Sequence, residues 1–562
     1  MLAKSENTLK NQNGTVSDPF SDTGSSIVNG IIGVGILLLV TVFPLVYHHS
    51  YVDILETKYL CYWLCALGML IVTFLIGLIL WAIDLKEFHG EHTKELLSGI
   101  RFRKWRSAYG IADIALMVFW IAAILSTIQS EYVYEAFWGN EGRYSGLYLL
   151  TLYVLVYFLI SRFWKLKGWY LELFLITGMI MCVIGITDYF QLDVLDFRGK
   201  IQPSDSKIFT STVGNINTYT AYVGMIMGFS TLMFTREKKF GKMLWYYICM
   251  IISFVAIIMG CSDNAYLSIG VLFAGLPFIL FVDRRGIQKY LIILASFFSA
   301  IQMIDVLNQA FSDMVIGLDS LFQIIVNFRG LLGLVVFLWL LAGGFWWYGR
   351  RRDKKTPGEA WEVFPKGSRP WLIYVWGALI AAGFLAVCFM FFDANIGGHG
   401  ERYGALQSYL IFDDTWGTYR GYIWKKSIDM YKDLPFLQKC FGHGPDTFGL
   451  LANDTIRFEM YDATGLFFDS AHNSILQYLL TIGLIGTAGY LVFLGASMVF
   501  MLKNRTGSPY ILATMGAVVC YVFQSTVNID LPIAAPMMWL LLSVGMAACR
   551  QENSEREKNQ EL

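Results

Sequence analysis

The stretch DSAHNSILQYLLTIGLIG (469–486) places Asp469, Ser470, His472 and Asn473 at the lip of a long apolar run. A neutral imidazole at such a lip has the chemistry of a general base. Asp469 or Ser470 is expected to cap an inward-running helix. His472 then falls in its first turn, where the positive end of the helix dipole disfavours imidazolium. Asp469 pushes the other way or orients the ring, so the net shift stays open. Taken alone, His472 reads as a polar interfacial residue satisfied by water or a neighbour. Arginines change the balance: Arg143 in GNEGRYSGL, Arg402 in GERYG, and Arg420. Guanidinium matches phosphate oxygens bidentately. A neutral base with several arginines suits attack by an alcohol on a carbon bearing a lipid diphosphate. The arginines would hold the diphosphate and stabilise the charge developing on it, while the histidine takes the hydroxyl proton. The bland alternative for each arginine is a snorkelling cation among lipid headgroups. No HxxxH, DxD or dense carboxylate cluster demands a metal, and no cofactor is expected. Asp413–Asp414, the adjacent acidic pair, reads as a solvated turn.

These residues need elements to position them. The chain has 562 residues, 56% hydrophobic and 15% charged, where soluble domains carry about 25% charged residues. Apolar runs of membrane length recur throughout. The expected fold is an all-α polytopic membrane protein with about fourteen spans: 27–47, 59–83, 108–128, 144–161, 169–190, 217–235, 244–262, 264–282, 289–305, 322–348, 371–393, 472–502, 509–527 and 533–549. Residues 1–26 are expected to be a disordered polar tail, with no cleavable signal peptide, and 550–562 a second tail. With the N-terminus inside, the inside segments hold 30 of the 43 Lys and Arg, and every short basic loop falls on that side. Both termini are therefore expected in the cytoplasm. Net charge is zero and says nothing of partners; none is expected to be nucleic acid. The nine cysteines form no CxxC or disulfide framework.

The informative asymmetry is the long segment 394–471, between the eleventh and twelfth spans, expected to fold over the outer surface. Within it, YRGYIWKKSIDMYKDLP (419–435) reads as one helix with Arg420, Trp424, Ser427 and Tyr431 on one face, ended by Pro435. It equally fits an amphipathic helix lying on the bilayer. FGHGPDTFG (441–449), with His443, reads as a turn rather than a P-loop, since no GKS or GKT follows.

Together these residues resemble the bacterial O-antigen ligase/polymerase superfamily. His472-Asn473, nine residues, Gly483, two residues, Gly486 is similar to its histidine signature. GRYSGL (142–147) resembles its early arginine segment, and STVGNINTYTAYV (211–223) its Gly-Asn-x-Asn span start. RGYIWKKSIDMYKDLPFLQKCFGHGPDTF (420–448) resembles its Arg-x-x-x-Trp helix and Gly-x-Gly turn. The set runs in order from about 138 to 490. The resemblance implies a GT-C-like, metal-independent, inverting glycosyltransferase at the outer face of a bacterial cytoplasmic membrane. It implies an undecaprenyl-diphosphate-linked glycan donor, a glycan, lipid or protein acceptor, and the bilayer as surroundings. The catalytic histidine would be His472 and the loop arginine Arg420, with Arg143 and Arg402 also on the diphosphate. Asn473, His443, Asn215, Asn217 and Trp424 would support them. Two features depart from the family: CSDNAY (261–266) has Asp263 and Asn264 where relatives carry arginine, and fourteen spans exceed the usual twelve or so. Arg402 is one candidate to replace the missing arginine. Ligase, polymerase and protein O-glycosyltransferase differ only in acceptor and stay open. A lipid-linked glycan flippase is the non-enzymatic alternative, though flippases have short loops and a two-bundle repeat.

Overall fold

The computed structural model describes residues 19–94, 110–202, 206–318, 320–355 and 370–561. The helices are α1 (Pro19–Leu45), α2 (Ile54–Glu87), α3 (Ile111–Gln129), α4 (Val133–Trp138), α5 (Leu147–Phe163), α6 (Trp169–Tyr189), α7 (Ile216–Arg236), α8 (Phe240–Met259), α9 (Ala265–Leu280) and α10 (Arg284–Ala310). There follow α11 (Ser320–Val326), α12 (Leu331–Lys355), α13 (Trp371–Asn395), α14 (Gln407–Leu410), α15 (Trp416–Asp433), α16 (Phe436–Phe441), α17 (Phe448–Thr464), α18 (Ser474–Thr481), α19 (Gly483–Lys503), α20 (Pro509–Ser525) and α21 (Ala535–Glu561). Two-residue strands β1 (Phe209–Thr210) and β2 (Gly214–Asn215) pair antiparallel, Phe209 opposite Asn215.

Among the described residues, nine helices are long and apolar enough to cross a membrane, and α5, α9 and α20 are shorter apolar helices. A helix satisfies its own backbone groups, which lipid cannot do. α7 escapes a hydropathy criterion because it is the buried axis of the bundle: Thr218 to Thr235 are all buried, with Ser230 and Thr231 inside. It crosses α20 closely, since a Cβ on Gly228 would lie 2.5 Å from the carbonyl oxygen of Gly516; small residues let membrane helices approach this way.

Helices occupy all fourteen expected segments, but several boundaries differ. α1 starts at Pro19, inside the segment expected to be a disordered tail. Its polar residues bond back within the helix, Thr23 to the Pro19 carbonyl and Asn29 to that of Ser25, both at 2.8 Å. Residues 1–18 of that tail lie outside the described residues. α21 runs on to Glu561 because Arg550 bonds the Asp113 carboxylate and Glu552 accepts from the Ser508 N–H at 2.7 Å. The segment 322–348 breaks at Asn327–Gly330, and Arg329 lies exposed in that turn rather than within a span, which avoids placing its charge among lipid tails.

Residues 396–473 carry α14 to α17 and a 3₁₀ segment, Gly400–Leu406. They have a hydrophobic core of their own, in which Tyr422, Ile423 and Met430 of α15 meet Phe448, Leu451 and Met460 of α17 and Leu480 of α18. That core fixes α15 against α18, the two elements bearing the candidate site.

Candidate active site

The expected span 472–502 is two helices, α18 and α19, broken at Ile482. Gly483 has φ +75, and a Cβ there would sit 2.4 Å from backbone atoms of Cys440 and Phe441. Only glycine accepts both conditions. The turn after α16 docks into the break: His443 N–H bonds the Leu480 carbonyl at 2.9 Å and Gly444 N–H that of Thr481 at 3.0 Å. Carbonyls freed by the break thus find partners.

At the other end of α18, Asn473 is the cap, not Asp469 or Ser470. Its side chain accepts from the N–H groups of Ile475 and Leu476 at 3.0 and 3.1 Å. His472 therefore precedes the helix instead of lying in its first turn, with φ +47, a left-handed conformation uncommon for a non-glycine residue. The turn is held on both sides: Trp424 Nε1 donates to the Ala471 carbonyl and Ala471 N–H to Gln477 Oε1, both at 3.0 Å. The His472 ring stands edge-on to Phe468, centroids 6.0 Å apart. Its Nδ1 is buried without a hydrogen-bond partner among the described residues. Burial, then the charges of Arg420 and Arg143, push the ring down to about 4, against a smaller upward effect of Asp469.

Trp424 is one helical turn beyond Arg420. Before Arg420 the chain is left-handed at Gly417, Thr418 and Tyr419, so the regular part of α15 begins at Arg420 itself. Left-handed non-glycine residues cost free energy and persist where the surroundings impose them. The side chain of Arg420 is half-buried and makes no hydrogen bond or ion pair among the described residues. Burial lowers its pKa, and Asp263 opposes that shift. Arg420 lines a cavity of about 900 Å³ with Asp263, Asn264, Tyr266, Tyr409 and Trp416. Tyr409 Oη donates to Asp263 Oδ2 at 3.2 Å, and Asn264 Nδ2 is buried without a partner among the described residues.

The other expected residues take different places. Arg143 grips Asp469 with both Nε and Nη2, Nε at 2.9 Å. This pairing, together with the charge of Arg143, holds Asp469 below the ordinary carboxylate range against the opposing effect of partial desolvation and explains why Asp469 does not cap α18. Arg143 lines a smaller cavity, about 30 Å³, beside Ser470 and Ser474. Arg402 is exposed, paired with Asp393 at 3.3 Å, and does not line the Arg420 cavity. His443 is buried, its Nδ1 2.9 Å from Thr447 Oγ1, and serves the docked turn. Asn215 caps α7, accepting from Asn217 N–H at 2.8 Å. Asn217 Oδ1 accepts from Ser262 at 2.7 Å and its carbonyl from Gln524 at 3.1 Å. Asn217 thus braces the segment leading to Asp263.

Three features escaped the sequence reading. Asp446 is buried, accepts from the N–H groups of Asn140 and Ser145 at 2.7 and 2.9 Å, and burial raises it to about 7. Asp530, in the loop before α21, accepts from Tyr521 at 2.9 Å, and burial raises it to about 6. Both line the smaller cavity with Arg143. Local sequence gives no sign of their burial, which comes from distant helices. The third is His48, His49 and Asp53, whose ligand atoms lie within 4.8 Å of one another at the surface; the adjacent histidines were the available signal.

A bundle with nine helices of membrane length among the described residues defines an all-α polytopic membrane protein, in which an arginine without an ion pair among the described residues lines a cavity and an imidazole whose Nδ1 has no partner there lies on the adjoining turn. Residues 314–491 match the family model described as O-antigen ligase. The matched segment contains Arg420, His472 and Gly483, and supports a relation to the O-antigen ligase/polymerase superfamily. No curated protein matches the chain.

Proposed function

We propose that this O-antigen ligase-like membrane protein transfers a glycan from an undecaprenyl-diphosphate donor to an acceptor hydroxyl, by inversion and without a metal. The observation that carries the reading is the Trp424–Ala471 hydrogen bond, which ties the helix bearing the unpaired Arg420 to the turn bearing the unbonded His472. Arg420 binds the diphosphate in the large cavity. The acceptor oxygen attacks the anomeric carbon as the bond to the diphosphate oxygen breaks, and a His472 ring nitrogen takes the hydroxyl proton. Charge develops on the diphosphate beside Arg420, where a preorganised cation counts most. Arg143 acts on the site by orienting Asp469 next to His472. The 394–471 segment then faces the outside of a bacterial cytoplasmic membrane, with both termini inside and fourteen crossings.

Acceptor identity separates ligase, polymerase and protein glycosylation. Purified protein, lipid-linked glycan and candidate acceptors are combined, and products are resolved by mass spectrometry. Glycan joined to an acceptor, with free undecaprenyl diphosphate released in equal amount, is the expected result. Movement of the intact donor across a liposome membrane with no new glycosidic bond would establish the flippase alternative.

A further inference from the structure

A second cavity lies at the other end of the bundle. It measures about 620 Å³ and is framed by α8, α10 and α12. α9 separates it from the Arg420 cavity: Asn264, just before α9, lines one, and Arg284, just after it, lines the other. The sixteen residues of α9 span about 24 Å at 1.5 Å each, so the two cavities are distinct.

Its walls are apolar, with Met243 and Leu244 of α8, Ile292 of α10 and Trp339 of α12, and its rim is cationic. Arg284 is neutralised by a bidentate pair with Asp353, at 3.0 and 2.7 Å. Three further cations have no carboxylate partner among the described residues. Lys289 Nζ donates to the carbonyls of Phe234 and Thr235 at 2.9 and 2.8 Å, closing the end of α7. Arg350 lies over the Trp346 ring, 5.1 Å from its centroid. Arg285 is exposed and makes no ion pair among the described residues. A surplus of three positive charges above an apolar groove between membrane-length helices asks for a ligand with an anionic head and long tails.

We propose that this cavity binds an anionic two-chain glycerophospholipid, its phosphate between Arg285 and Arg350 and its acyl chains along α8, α10 and α12. Each unpaired cation near a headgroup favours the anionic lipid roughly fivefold, so three give a preference on the order of a hundredfold over a zwitterionic one. The delipidated full-length protein is titrated with dioleoyl phosphatidylglycerol or dioleoyl phosphatidylcholine and read by native mass spectrometry. Phosphatidylglycerol should bind about a hundredfold more tightly. R285Q/R350Q should lose most of that preference, roughly 25-fold. R351Q/K354Q removes the same charge from α12 at positions that do not line the cavity and should stay within about twofold of wild type. Matching thermal unfolding of the two variants establishes that both are folded, and if R285Q/R350Q unfolds early, the single variant R285Q is read in its place, with a roughly fivefold loss expected. Equal binding of the two lipids, or equal loss in the two double variants, would overturn the proposal. Displacement of phosphatidylglycerol by millimolar inorganic phosphate would also overturn it, in favour of a site for free phosphate.

Discussion

Acidification tests the imidazole directly. His472 lies outside the helices, on the turn before α18, and burial with the charges of Arg420 and Arg143 brings it down to about 4. Against an ordinary value of about 6.5, the difference is worth roughly 3 kcal/mol in favour of the neutral ring. In the free protein the ring therefore stays neutral far into the acid range, and the acid limb of kcat/KM should lie between about pH 4 and 5. So weak a base takes a hydroxyl proton poorly. In the proposed reaction bound diphosphate supplies the correction, because it would place negative charge beside Arg420. If that charge lies roughly 8 Å from the ring, it contributes about 2 kcal/mol at an effective dielectric of 20, or about 1.5 pKa units. The acid limb of kcat, which reports the complex, should accordingly lie one to two units above that of kcat/KM. Initial rates of glycan transfer from pH 4 to 8, with lipid-linked donor varied at each pH, measure both. Arg420→Gln should move the kcat/KM limb upward, since one depressing charge is gone. Stability follows with its own sign. The folded state disfavours the protonated ring, so this contribution is present above about pH 6.5 and is lost as pH falls toward 4. Wild type should lose up to roughly 3 kcal/mol over that window relative to His472→Gln. Coincident limbs near pH 6.5, or the same limb persisting in His472→Gln, would refute the assignment of the base.

Arg420→Lys keeps the charge and loses the fork, so transfer should fall at least tenfold, whereas Arg402→Ala, at an exposed pair with Asp393, should stay within about twofold of wild type; steady-state rates decide. His472→Ala should lower transfer by about 10²–10⁴ with normal purification, while His443→Ala should mainly cost stability, about 1–3 kcal/mol for a buried partner left unpaired, seen as a lower unfolding midpoint. Gly483→Ala combines positive φ with backbone contacts at 2.4 Å and should destabilise by about 2 kcal/mol or more. Single cysteines at Asp454 and Lys354, in a cysteine-free background, should label from outside and inside respectively; labelling of both from one side would reverse the proposed orientation.

Hydrophobic runs and helical spacing are local properties, and they placed what local properties determine. A helix in every expected segment, the shared face of Arg420 and Trp424, and a polar turn before α18 follow from residues close in sequence. The misplaced features depend on partners far away. Asp469 looks like a helix cap because an aspartate before an apolar run usually is one. It is not, because Arg143, 326 positions earlier, binds both its oxygens. The same pair removes Arg143 from the set of unengaged arginines. Arg402 is removed by Asp393 at closer range, through a 3₁₀ turn that no periodicity announces. The break at Ile482 exists because residues 440–444 press into it, so an apolar run that reads as one span becomes two helices.

These corrections change how the site should be understood. Of the three arginines expected at the diphosphate, two pair with carboxylates and one has no such partner among the described residues. Arg420 is also the residue at which a strained left-handed turn resolves into a helix whose next turn holds Ala471. Its guanidinium and the His472 ring are thus tied through the Trp424–Ala471 bond, so that the proposed diphosphate binding at the first would alter the basicity of the second. In the proposed reaction donor occupancy and readiness of the base are thereby coupled: the imidazole is too weak a base to act until the anion that will leave is already in place.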